Sequence, residues 1–76
     1  MKYKRLQDAA YQAGTDAVTA LEAALALAGL VLPSLANDGP LGIRGFVRLG
    51  GCSVAVANQL AEVIAAGAHA LQEQRT

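Results

Sequence analysis

The chain has 76 residues, 54% of them hydrophobic, with six basic and six acidic side chains, so its formal net charge is zero. One domain is the most this length supports, and the charge balance supplies no field that would draw it to nucleic acid. A single cysteine, Cys52, excludes an intrachain disulfide, and Cys52 with His69 is too few soft ligands for a structural zinc site. Small domains without such staples commonly reach stability by association.

The first element expected is a helix over about residues 4–30. Nine alanines between Ala9 and Ala28 favour it locally. Tyr3, Ala10, Ala17, Ala24 and Val31 fall on one heptad position, and Leu6, Ala13, Ala20 and Leu27 on another, with Gly14, Leu21 and Ala28 broadening the seam. Small residues along a seam predict close antiparallel packing of a second helix. Lys4, Asp8, Gln12, Thr15, Thr19 and Glu22 form the opposite, polar face.

A loop over about 31–40 follows. Pro33 cannot continue a helix, and Asn37-Asp38-Gly39-Pro40 has the composition of a turn. Beyond it, a second helix is expected over about 41–74, kinked or broken at Gly50-Gly51. Ile43, Phe46, Val47 and Leu49 fit helical spacing across that join, and Val56, Leu60, Val63, Ile64 and Leu71 continue it. If the chain breaks there, the long helix starts at Cys52 or Ser53.

These elements predict an all-α fold: one antiparallel helical hairpin that pairs as a homodimer in a four-helix bundle, or in a higher homo-oligomer. The expected core is Leu21, Leu25, Val56, Leu60, Val63, Ile64 and Leu71. The expected contact surface is Arg44, Phe46, Arg48, Leu49, Val56, Leu60, Val63 and Ile64, with the Gly-rich stretch from Pro40 to Gly51 at its centre.

Candidate chemistry is sparse. Cys52 and His69 stand seventeen residues apart, roughly 25 Å along a straight helix. They meet only across two copies, and without an orienting group they do not make a catalytic pair. Glu22, Glu62 and His69 lack the Glu-x-x-His spacing of di-metal bundles. No Gly-x-x-x-x-Gly-Lys phosphate loop is present. Two small basic groups, Lys2, Lys4 and Arg5 at the start and Arg44 and Arg48 near the loop, are expected at opposite ends of a helical hairpin.

The function expected is therefore non-enzymatic: a small self-associating helical protein that contacts another protein as adaptor, regulator or accessory subunit. No cofactor, metal or nucleic acid is expected. An alternative is a carrier of a small apolar molecule. A membrane-associated hairpin is the third reading, disfavoured by Glu22 in residues 17–36 and by Asn58, Gln59, Glu62 and His69 in the second helix. The basic start is not followed by an unbroken apolar run, which favours a cytoplasmic setting over a signal peptide.

Overall fold

A computed structural model describes residues 2–75. Its elements in chain order are α1 (Lys2–Leu27), β1 (Ala36–Leu41), β2 (Arg44–Arg48) and α2 (Val54–Arg75). The arrangement is α+β, which corrects the expectation of an all-α helical hairpin and a four-helix bundle. Two long helices are present, but residues 36–48, which span the end of the expected loop and the start of the expected second helix, form an antiparallel β-hairpin.

The reason is local. Leu41 and Arg44 pair across a two-residue loop, Gly42-Ile43. Gly42 has φ +65°, and Ile43 keeps an ordinary negative φ. Glycine at positive φ in the first of two loop positions is the pattern of a type II′ turn, whose twist matches that of the flanking strands. Asn37-Asp38-Gly39-Pro40 is not the reversal itself. It lies inside β1, where the register skips Asp38 and forms a bulge. Asn37 Oδ1 accepts a hydrogen bond from the Gly39 N–H at 2.8 Å and so shapes the bulge. Pro40 is tolerated because the sheet has only two strands, so every strand is an edge.

The hairpin lies along the N-terminal half of α1, and glycine makes the approach close. A Cβ at Gly45 would sit 2.6 Å from the Ala10 carbonyl oxygen, and one at Gly14 would sit 2.6 Å from Asn37 Oδ1. Asn37 uses that space to donate from Nδ2 to the Tyr11 carbonyl at 2.9 Å and to Thr15 Oγ1 at 3.1 Å. The small residues expected to admit a second helix thus admit a strand. The inner face of α1 runs through Gln7, Ala10, Gly14, Val18, Leu21 and Leu25, rotated from the expected seam. Leu27, placed in that seam, is 92% exposed.

α1 stops at Leu27 because Gly29 takes φ +72°. The Leu30 N–H then reaches the Leu25 carbonyl at 2.9 Å, and the Gly29 N–H reaches Ala26 at 3.0 Å, the two bonds of a Schellman cap. The same reversal packs Leu30 against Leu25, and both are 5% exposed. Together with Ala10 they are the buried hydrophobic residues among those described.

α2 begins at Val54, just beyond the Cys52 or Ser53 start of the broken-helix alternative, and a strand, not a short helix, precedes the break. Ser53 is its N-cap: the Val56 N–H donates to Ser53 Oγ at 3.1 Å. None of the described residues of α2 is buried, and Val56 and Leu60 alone are half-buried. No Cα of α2 comes within 8 Å of a Cα in α1 or either strand. The tight antiparallel pairing of two long helices is therefore absent.

The molecule is correspondingly open. Its radius of gyration is 15.4 Å, against roughly 11 Å for a globular chain of this length. Its accessible surface is 5875 Å², against about 4300 Å² for a compact monomer of 7.7 kDa.

Candidate functional site

The separation of α2 from α1 leaves a groove of about 290 Å³ between them, lined wholly by apolar residues. α1 contributes Leu21, Ala24, Leu25 and Ala28, and the turn after it contributes Leu30 and Leu32. Leu49 closes one side from the linker, and Leu60, Val63 and Ile64 form the α2 wall. The Schellman cap sets the floor, because it folds Leu30 back beneath Leu25. The Ser53 cap sets where α2 begins and so which of its residues face α1.

Of the eight expected contact residues, the structure brings Leu49, Leu60, Val63 and Ile64 together at this groove. Val56 lies on the same face of α2, half-buried and one turn before Leu60. Arg44, Phe46 and Arg48 are elsewhere, on β2. Phe46 borders a separate shallow hollow with Pro40 and Leu41. Arg48 pairs with Asp38 of its own chain at 3.3 Å, both well exposed, a type of contact worth at most about 1 kcal/mol.

Leu30 and Leu32 were not singled out from the sequence. The usable signal was Gly29, since a glycine followed by an apolar residue is how a Schellman cap returns the chain to the last helical turn. Of the expected core, Leu25 is buried, Leu21, Val56 and Leu60 are half-buried, and Val63, Ile64 and Leu71 are exposed.

Polar chemistry does not converge on the groove. Among the described residues no group of three or more His, Cys, Asp and Glu side chains is placed to hold a metal ion. Cys52 is exposed in the linker before α2. Asn58, Glu62 and His69 lie on the side of α2 opposite Leu60, by helical rotation. The hairpin also changes the charge layout. Its turn comes back to the start of α1, with the Tyr3 hydroxyl 3.9 Å from where a Gly42 Cβ would be. Arg44 therefore sits at the same end as Lys2, Lys4 and Arg5, not at the far end.

The apolar face of α2 continues past the groove. Leu60, Ile64, Gly67 and Leu71 follow one another at spacings of four, three and four, so they share one side of the helix. Ile64 and Leu71 are 61% and 55% exposed. Gly67 differs from the glycines of the hairpin, because a Cβ there would meet nothing within 4 Å. A glycine in a helix interior costs about 1 kcal/mol relative to Ala, and no contact within the chain requires this one. By length and composition α2 also meets the requirement for crossing a membrane, with a mean hydropathy of 1.3 and none of that stretch buried.

No protein-family model matches the chain, and no curated protein or solved structure shows significant similarity to it.

Proposed function

We propose that this chain is a small non-enzymatic protein that self-associates and acts through protein–protein contacts, in the manner of an adaptor, regulator or accessory subunit. The observation that carries the reading is an excess of exterior surface on a chain whose groove is lined by apolar residues alone. Roughly 1500 Å² more surface is open than a compact monomer of this mass would leave. A standard interface buries about 800 Å² on each partner. The excess covers one such interface, and α2 with the groove supplies a continuous apolar patch for it. A cytoplasmic setting belongs to the same proposal. A membrane span is disfavoured by Glu62 in the middle of α2, since a carboxylate at the bilayer centre costs on the order of 3 kcal/mol.

A second reading, carriage of a small apolar molecule, is favoured by one specific feature. The groove is lined by apolar side chains alone, and its volume of about 290 Å³ lies at the lower end of ligand-site sizes. Native mass spectrometry of the purified protein separates the two. A bare dimer or higher oligomer supports self-association. A monomer carrying a co-purified adduct supports the carrier and refutes the first reading.

A further inference from the structure

We infer that Gly67 marks the point where the α2 helices of two copies cross, so that the interface is a two-fold contact along the Leu60–Ile64–Gly67–Leu71 stripe. The inference rests on the self-association proposed above and assigns its surface. Two independent observations lead to it.

The first is a contrast among glycines. Gly14 and Gly45 each admit a neighbour of the same chain, at 2.6 Å from where a Cβ would stand. Gly67 admits none. It is nonetheless placed inside a helix, where alanine would serve the chain better. It also lies on an apolar stripe of α2 in which Ile64 and Leu71 are exposed. Glycine at such a position lets a second backbone come close, as Gly45 lets β2 approach Ala10.

The second is area. Over the whole chain the surplus exterior, roughly 1500 Å², exceeds the share each partner contributes to a standard interface. A second copy is the occupant that fits a self-complementary stripe, because a two-fold contact places the same residues on both sides. Its polar complement is also satisfied. Asn58, Glu62 and His69 stay on the outer face of each α2, in water, when the stripes meet. Leu60 and Ile64 extend the contact to the mouth of the groove, so the second copy closes what α1 and α2 leave open.

The test uses the full chain. Sedimentation equilibrium compares wild type with Gly67→Ala and, as a control, Gly51→Ala, where a Cβ also meets nothing within 4 Å. Gly67→Ala is expected to raise the dimer dissociation constant roughly tenfold or more, with helix content by circular dichroism equal to or above wild type. Gly51→Ala is expected to leave the constant unchanged. In a Cys52→Ser background, Gly67→Cys is expected to give a disulfide-linked dimer on mild oxidation, and Asn58→Cys is not. A wild-type dimer that Gly67→Ala leaves equally tight overturns the crossing point and leaves self-association standing. A wild type that stays monomeric at about 100 µM overturns both. A monomer that sediments with phosphatidylcholine vesicles overturns both in favour of a lipid occupant.

Discussion

Gly45→Ala separates the hairpin from a kinked helix by the sign of its effect. Inside a helix, replacing an exposed glycine by alanine stabilises by about 1 kcal/mol. In the hairpin the added methyl would stand 2.6 Å from the Ala10 carbonyl oxygen. Ordinary carbon–oxygen contact is roughly 3.3 Å, so β2 would have to lift from α1 by several tenths of an ångström. Both atoms at the contact belong to paired backbone: Gly45 is in register with Pro40, and Ala10 is within α1. Neither can swing away as a side-chain tip would. Overpacking of this kind typically costs 1–3 kcal/mol, so about 2 kcal/mol is expected. With a urea slope of about 1 kcal/mol per molar for so small a chain, the midpoint should fall by roughly 2 M. Urea titration followed by circular dichroism, at one fixed protein concentration, reads this directly. A midpoint that rises, or moves by less than about 0.3 M, contradicts the packing of β2 on α1.

Two further substitutions test the positions that set the site. Asn37→Ala removes hydrogen bonds to the Tyr11 carbonyl, Thr15 Oγ1 and the Gly39 N–H. A loss of about 2 kcal/mol in urea unfolding is expected, and a loss below about 0.5 kcal/mol would mean that water replaces all three at no penalty. Ser53→Ala removes the N-cap of α2, with an expected loss of about 1 kcal/mol and reduced amide protection in its first turn. Unchanged hydrogen exchange at Val56 would argue against that cap.

Both long helices were legible because alanine-rich stretches with apolar residues every three or four positions carry a helical period over many turns. The hairpin was not. Its apolar residues Ile43, Phe46 and Val47, with Leu49 just beyond it, also fit a helical spacing, and a run this short does not separate the two periods. The strands alternate poorly because Gly39, Pro40 and Gly45 occupy positions where strand-forming residues would otherwise show the pattern. The deciding residue is Gly42, whose positive φ turns the chain, and the Gly-Ile pair was the signal that could have been read. The seam of α1 was displaced for a related reason. Its small residues served equally well for a helix or a strand, and the strand selected Ala10 and Gly14 while leaving Leu27 in water. The α2 side of the groove was legible as an apolar stripe. Its α1 side depended on a cap at Gly29 that brings Leu30 under Leu25, a feature of backbone conformation more than of hydrophobic period.

The openness of the fold is tested most directly by the molar mass of the wild-type chain in solution. Light scattering behind a size-exclusion column, over a dilution series, should give a mass at or above twice 7.7 kDa that falls toward a single chain as the sample is diluted. A folded species of 7.7 kDa at every concentration, with Leu60 and Ile64 amides as protected as those of α1, would contradict the claim that α2 needs a second copy to cover it.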